Sequence, residues 1–124
     1  MKHAELTERI IGVAIEVFRE LGTGFVEAVY QRSLLIALRQ AGFGVRGQVE
    51  FPVLFRGENV GTYFADILVD ETIVLELKAV TRLVAEHKSQ LINYLKASGP
   101  EVGLLLNFGG ARLEFQRLEH PDLY

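Results

Sequence analysis

The sequence contains no cysteine among its 124 residues. Disulfides, thiolate zinc sites, iron–sulfur clusters and cysteine nucleophiles are therefore excluded. No apolar run approaches the roughly 20 residues that span a bilayer, and the first five residues lack the apolar core of a secretory signal. From these absences we expect a cytoplasmic protein.

An excess of positive charge is missing as well. The chain has 13 basic and 16 acidic residues, a net charge of −3, which argues against a protein that coats nucleic acid without specificity. The distribution is uneven, because residues 72–98 carry four basic and two acidic side chains. A compact patch that faces phosphate groups is therefore compatible with the sequence.

Proline is scarce, with three residues, and there is no internal repeat and no Pro/Gly/Ser-rich linker. The length favours one domain over residues 1–124. Apolar residues make up 49% of the chain, which is enough for one ordinary core.

Apolar periodicity predicts three helices and five strands in the order α-α-β-β-β-α-β-β, which is typical of an α/β domain with a mixed sheet. The helices are predicted at about residues 5–21, 26–40 and 83–97. The strands are predicted at residues 49–55, 60–69, 73–80, 102–108 and 112–118. We expect Gly42 to cap the second helix. Pro52 has no N–H, so we expect either that the first strand is at a sheet edge or that the missing N–H faces outward.

Three charged side chains interrupt strands that otherwise read as buried apolar runs: Asp66, Glu76 and Lys78. Burying a charge costs several kcal/mol unless a partner or a metal compensates it. Glu76 and Lys78 share a strand face because they are two residues apart. A three-residue loop at 70–72 would pair Asp66 with Glu76, whereas a two-residue loop would place them on opposite faces.

Such a group suits a divalent cation. Mg²⁺ or Mn²⁺ binds carboxylate oxygens, waters and substrate phosphate, and the main-chain carbonyl of Leu77 is a further candidate ligand. Lys78 would orient a water or offset developing negative charge. The alternative is an ordinary Glu–Lys surface pair on an exposed strand face.

The third predicted helix carries candidate substrate contacts. His87, Gln90 and Tyr94 follow one another at helical spacing and share one stripe, and Lys88 is a further candidate on the same helix. The alternative is a solvated rim with Tyr94 half-buried. At the start of the second helix, Glu27 is a candidate third carboxylate for the metal, or an acid that suits the helix dipole.

The segment Gly24-Phe25-Val26-Glu27-Ala28-Val29-Tyr30 resembles the signature of the GxxExxY family. Further matching segments follow in the family's order: Gln48, Ala65–Val69, Glu76–Val80, Gln90–Lys96 and Gly103–Gly109. With the segment at residues 21–24, the resemblance covers about residues 5–118, which is nearly the whole chain.

The resemblance implies a compact branch of the PD-(D/E)xK nuclease superfamily, with a restriction-endonuclease-like α-β-β-β-α-β core and one extra N-terminal helix. By position, Asp66 and Glu76 would bind metal, Lys78 would be the catalytic lysine, and Glu27 would be the acid of the preceding helix. Gln90 and Tyr94 resemble the QxxxY motif of RecB-type nucleases. Two departures are Ala65, in place of proline, and Phe18, where the family often has histidine.

The sequence therefore predicts a Mg²⁺-dependent nuclease that acts on DNA, of a size at which a homodimer often spans a duplex. Two alternatives stay open. One is a non-catalytic nucleic-acid-binding or assembly module on the same fold, and the other is a protein-interaction domain.

Overall fold

The computed structural model describes residues 1–120. All eight predicted elements are present, and their order is the predicted one. The helices are α1 (Ala4–Leu21), α2 (Glu27–Gln40) and α3 (Ala85–Ser98). The strands are β1 (Val45–Phe55), β2 (Glu58–Val69), β3 (Ile73–Lys78), β4 (Val102–Asn107) and β5 (Glu114–Glu119). Within the described residues, none of the helices has the length and apolar character needed to cross a membrane.

The five strands form one mixed sheet in the order β1-β2-β3-β4-β5. Three neighbouring pairs are antiparallel, and β3 and β4 are parallel. Parallel neighbours need a crossover, which α3 provides. Pro52 lies on the edge strand β1, as its missing N–H predicts.

The helices cover the two faces of the sheet, with α1 and α2 on one face and α3 on the other. The first face packs strand residues Ile67, Val69, Ile73, Leu75, Leu77, Leu104 and Leu106 with helix residues Ile10, Ala14, Tyr30, Leu34 and Leu38. The second face packs Val49, Tyr63, Ala65, Leu68, Val74 and Leu105 with Leu91 and Leu95 of α3. Each fully buried leucine contributes about 1.5–3 kcal/mol relative to exposure.

Helix α2 ends in a glycine-assisted cap, as the sequence predicts. Gly42 has a φ of 96°, a conformation that is strained for residues with a Cβ. Its N–H donates to the carbonyl of Arg39, and the N–H of Phe43 donates to that of Leu38, both at 3.0 Å. This paired pattern satisfies the last carbonyls of the helix and turns the chain into β1.

Strand β2 changes the face that it buries at Asp66. Tyr63 and Ala65 pack against α3, whereas Ile67 and Val69 pack against α1 and α2. Strict alternation along a strand would keep all four on one face. The backbone therefore rotates at Asp66, which is where the candidate site lies.

Strand β1 makes the same change directly opposite. Val45 packs on the α1–α2 side and Val49 on the α3 side, and Gln48 between them has a φ of 52°. A left-handed conformation is uncommon for a residue other than glycine, and such strained residues concentrate at functional sites. Both strands thus bend at the position of the acid.

Candidate active site

The site lies where β2 and β3 separate. Val69 pairs with Ile73, the register predicted from the three-residue loop, and the pairing ends at Ile67 and Leu75. The next positions, Asp66 and Glu76, do not continue the ladder. The predicted register is therefore confirmed, but the two acids flank a gap in the sheet instead of forming a paired rung.

The Asp66 carboxylate fills part of this gap. Its Oδ2 accepts a hydrogen bond of 2.7 Å from the backbone N–H of Leu77. A side chain therefore replaces the main-chain acceptor that a longer ladder would have supplied. On the other strand, the backbone N–H of Asp66 lowers the pKa of the Glu76 carboxylate. The hydrogen bond from Leu77 thus holds Asp66 at the end of the ladder, close to Glu76.

The carbonyl of Leu77 faces the same gap. The carbonyl of Lys78 accepts a hydrogen bond of 2.8 Å from the N–H of Phe108, so it points toward β4. Main-chain groups of successive strand residues point to opposite edges. The Leu77 N–H, which donates to Asp66, and the Leu77 carbonyl therefore both point toward β2. Three oxygen-bearing groups converge on the gap.

Glu76 and Lys78 lie on the α3 side of β3, since Val74 on the same strand face is buried against α3. The hydroxyl of Tyr63 donates a hydrogen bond of 3.0 Å to Oε1 of Glu76. The charge of Lys78 acts on both carboxylates and favours their ionised forms. The fold thus brings Asp66 close to Glu76 and Lys78, which follow it in the chain by 10 and 12 residues.

The negative charges of Asp66 and Glu76 are only partly balanced by the positive charge of Lys78. Burial raises the pKa of Glu76 to about 7, and the charge of Asp66 acts in the same direction, against the opposing effects of Tyr63 and Lys78. Burial likewise raises the pKa of Asp66, although hydrogen bonds from Leu77 and Gln48 and the charge of Lys78 oppose it. Two carboxylates with one ammonium group leave a local excess of negative charge, which a bound cation would offset.

The residues predicted on α3 take different positions. Gln90 Nε2 donates a hydrogen bond of 3.3 Å to the hydroxyl of Tyr94. The ring of Tyr94 stacks on Tyr63, with centroids 4.0 Å apart and planes inclined by 10°. Gln90 and Tyr94 therefore connect to Glu76 through Tyr63. Their predicted contact with substrate is not shown by this arrangement.

His87 has a local role at the start of α3. Its Nδ1 accepts a hydrogen bond of 3.1 Å from the backbone N–H of Val84, which satisfies one of the free N–H groups at the helix end. Lys88 lies next to it and is half-buried. For both residues, contact with substrate stays a prediction.

Glu27 lies in the wall of a cavity of about 340 Å³ on the α2 side of the gap. The cavity is lined by Glu27, Ala28, Gln31, Arg32, Gln48, Asp66 and Leu77. Across residues 1–120, no three His, Asp or Glu side chains gather closely enough to hold a metal ion among themselves. The structure therefore brings Glu27 near Asp66 without assembling the three-carboxylate cluster predicted from the sequence.

The tyrosine of the GxxExxY segment has a structural function. Tyr30 is buried, donates a hydrogen bond of 2.6 Å to the carbonyl of Gly22, and accepts one of 3.3 Å from the N–H of Phe25. Its ring stacks on Phe108 at 4.6 Å. Tyr30 thus fixes the loop between α1 and α2, and with it the position of Glu27.

Sequence reasoning missed several residues that support the site. Asn107 is fully buried, and its Oδ1 accepts a hydrogen bond of 2.9 Å from the N–H of Val80 while its Nδ2 donates at 2.9 Å to the Val80 carbonyl. It also donates at 2.9 Å to Oε1 of Glu114. Asn107 therefore holds the chain directly after Lys78. Its sequence signal was a polar residue at the end of a strand that is otherwise apolar.

Tyr63, Gln31 and Gln48 were also missed as supports. Gln31 Nε2 donates a hydrogen bond of 3.1 Å to the carbonyl of Asp66, and Gln48 bonds the Asp66 side chain. Gln48 matched the family pattern, but no role followed from the match. Nothing in the sequence indicated that Tyr63 and Gln31 would meet the two acids, because those contacts join separate elements.

Tyr63→Phe should lower the free energy of unfolding by about 1.5 kcal/mol at pH 8, because a hydrogen bond to a charged group is typically worth that much. The ring stacking with Tyr94 is retained in this variant. Chemical denaturation of the metal-free protein measures the effect. Tyr94→Phe is the matched control and should cost less, since its hydroxyl interacts with the neutral Gln90; equal losses would contradict the assignment.

Comparison with known proteins gives consistent results. A family model described as the PD-(D/E)XK nuclease superfamily matches residues 4–118. No curated protein has a sequence that matches. Two similar solved structures are the protein SSO0001 and an alkaline exonuclease from Laribacter hongkongensis.

The first of these superposes with a TM-score of 0.58 and 23% sequence identity, over 76% of this chain and 50% of that one. This chain therefore spans about half the length of SSO0001. The exonuclease gives a TM-score of 0.56 and 15% identity, over 98% of this chain and 73% of that one. At these identities the similarity establishes the fold, which is the expected restriction-endonuclease-like α/β fold.

Proposed function

The chain belongs to the PD-(D/E)XK nuclease superfamily, and we propose that it hydrolyses phosphodiester bonds of DNA with the help of Mg²⁺ or Mn²⁺. The observation that carries the proposal is the gap between β2 and β3, where Asp66, Glu76 and the Leu77 carbonyl converge beside Lys78. We also propose the finer placement in the GxxExxY branch, with a RecB-like QxxxY pair at Gln90 and Tyr94.

The donor groups fit a hard divalent cation. Mg²⁺ is commonly held by one or two carboxylates, with waters and substrate phosphate completing its coordination. Asp66 and Glu76 would supply the carboxylates, and Leu77 the carbonyl oxygen. The burial that disfavours two neighbouring negative charges would be offset by such an ion. When bound, the ion polarises the phosphoryl group and lowers the pKa of a coordinated water.

The chain's own residues then have distinct tasks. Lys78 orients the attacking water and offsets the negative charge that develops on the phosphoryl oxygens. Tyr63 holds Glu76 in position through its hydroxyl group, and Gln31 holds the backbone of Asp66. Glu27 faces the cavity, where we propose that it accepts a hydrogen bond from a water near the ion.

The proposal extends to the setting of the protein. We propose one domain over residues 1–124, a cytoplasmic location and a homodimer, which would let two sites act on two strands. His87 and Lys88 are proposed as contacts for the strand on the α3 side.

The decisive experiment is a titration of the purified protein with Mg²⁺ and Mn²⁺ in the presence of single-stranded DNA, duplex DNA and RNA of one sequence. We expect DNA cleavage that rises with metal and stops with a chelator, and no cleavage by Asp66→Asn, which serves as a control for contamination. Binding of DNA without metal-dependent cleavage would overturn the hydrolytic proposal and favour a non-catalytic binding module on this fold.

A further inference from the structure

The two sides of the gap present different residues of the site. On the α3 side, the half-buried Glu76 accepts a hydrogen bond from Tyr63, which is only 3% exposed, and Tyr94 stacks on Tyr63. On the α2 side, Asp66 opens into the cavity of about 340 Å³. Asp66 and Leu77 line this cavity, whereas Glu76 and Lys78 lie on the α3 side. A substrate strand that occupies the cavity therefore meets the site at Asp66.

Arg32 lies in the wall of this cavity, one residue after Gln31. Its side chain is exposed, and none of the ion pairs among residues 1–120 involves it. A guanidinium group presents paired N–H donors that match two phosphate oxygens. Arg32 thus offers a phosphate contact in the same cavity as the Asp66 carboxylate.

Phe64 lies two residues before Asp66 on β2. Its neighbours Tyr63 and Ala65 are buried toward α3, so alternation directs Phe64 to the opposite side of the sheet. The cavity is on that side too, although Phe64 is not part of its wall. Its side chain is 54% exposed. Two residues of strand span about 7 Å, roughly the separation of neighbouring nucleotides in an extended strand.

The charge next to Phe64 indicates which part of a strand it contacts. Glu50 is its partner across β1 and is exposed. A carboxylate at this position repels phosphate groups. The uncharged base is therefore the part of a nucleotide that suits Phe64, while the phosphate lies toward Arg32, whose guanidinium group offsets the carboxylates of Glu27 and Asp66 in the same cavity wall.

We infer that this cavity and the exposed ring of Phe64 on the same side of the sheet form a subsite for an unpaired nucleotide, in which Phe64 stacks on the base and Arg32 binds the adjacent phosphate. The inference rests on the proposed function and adds a substrate class, namely nucleic acid that is single-stranded at the site of cleavage. In a duplex each base is already stacked and paired, so an exposed aromatic ring captures a base only where the strand is open.

A fluorescence experiment tests the stacking contact. The chain has no tryptophan, so Phe64→Trp introduces a single indole at the subsite. Lys78→Met in the same protein suppresses cleavage and retains both carboxylates, which allows Mg²⁺ to be present. We expect a single-stranded oligothymidylate to quench the indole, and a duplex of the same length to quench it far less.

Phe115→Trp is the matched control, because Phe115 is 45% exposed on β5, at the other edge of the sheet from β1. It should show no comparable quenching. Equal quenching at both positions, or equal quenching of Phe64→Trp by duplex and single strand, would overturn the inference.

Affinity measurements separate the two contacts. Phe64→Ala should weaken binding of the single strand by roughly 5- to 150-fold, the range for loss of one base–aromatic stack. Arg32→Ala should weaken binding and reduce the salt dependence by about one phosphate contact, whereas Arg39→Ala, farther along α2, should leave both unchanged. Unaltered binding by both Phe64→Ala and Arg32→Ala would refute the subsite.

Failure of the subsite can be distinguished from failure of the hydrolytic proposal. A wild-type protein that cleaves DNA while Phe64→Ala and Arg32→Ala bind and cleave normally would retain the proposed function and lose the subsite. A wild-type protein without metal-dependent cleavage, but with selective quenching of Phe64→Trp by the single strand, would retain the subsite and lose the proposed function.

Discussion

Lys78→Met should lower the rate constant of DNA cleavage by about 10²–10³-fold, the usual loss when a preorganised stabiliser of developing charge is removed. Methionine keeps an unbranched side chain of similar length but has no charge. Lys78 shares a strand face with Glu76, and its ammonium group acts on both carboxylates. Single-turnover cleavage at saturating Mg²⁺ measures the chemical step directly.

Two controls define the result. Lys96→Met makes the same chemical change at an exposed position in the last turn of α3 and should alter the rate less than twofold. Calorimetric titration should show that Lys78→Met still binds Mg²⁺, because both carboxylates and the Leu77 carbonyl remain. A Lys78→Met protein that cleaves at the wild-type rate would mean that the observed hydrolysis takes place at another site.

The metal-free protein should lose about 3 kcal/mol of its unfolding free energy as the pH rises from 4.5 to above 7, an upper value set by Glu76. Its pKa is about 7 in the folded protein, against an ordinary value of 4.5. Between these values the native state binds more protons than the unfolded state, so stability falls as pH increases. Asp66, whose pKa is also raised, acts in the same direction.

Glu76→Gln tests the source of this loss. The amide cannot ionise, so the variant should lose much less stability over the same pH range and should be more stable than wild type at pH 8. Denaturation curves in a chelating buffer at several pH values provide the measurement. Addition of Mg²⁺ at pH 8 should stabilise wild type by mass action but have little effect on Glu76→Gln. Parallel pH profiles for the two proteins would refute the prediction.

Much of the fold could be predicted because its signals are local. The helical periodicity of α1 and α2, and the three-residue loop between β2 and β3, depend on neighbours in sequence. The register of Val69 with Ile73 followed from counting that loop. The acids could be placed near one another for the same reason.

The sequence predicted the start of β1 four residues too late. The reason for this error is a tertiary contact. The predicted strand began at residue 49 and left out Gly47, yet β1 begins at Val45. A Cβ at Gly47 would lie 2.8 Å from Nε2 of Gln31 and 3.0 Å from Cδ1 of Leu35. The glycine permits the close approach of α2, and no local pattern reveals such a constraint.

The environment of the site was predictable only in part. Asp66, Glu76 and Lys78 stood out as charges within apolar strands, but a period of two cannot anticipate a strand that changes faces. Consequently, the sequence did not predict that the Asp66 side chain lies in the gap between β2 and β3. It also did not predict that Phe64 faces away from α3. Tyr63 reads as an ordinary apolar strand residue until the packing of α3 places Tyr94 on its ring.

Because the pairing of β2 with β3 ends at Ile67, the two strands diverge beyond this residue. On one side of the gap is the β1–β2 hairpin beyond Gln48 and Asp66, and on the other side is the end of β3 that carries Glu76 and Lys78. Asp66 is on β2 and Glu76 is on β3. Any change in the angle between these two strands therefore changes the distance between the two carboxylates. Tyr63 connects the two strands through its hydrogen bond to Glu76, and Tyr94 of α3 stacks on Tyr63. The distance between the acids therefore depends on how α3 packs on the sheet.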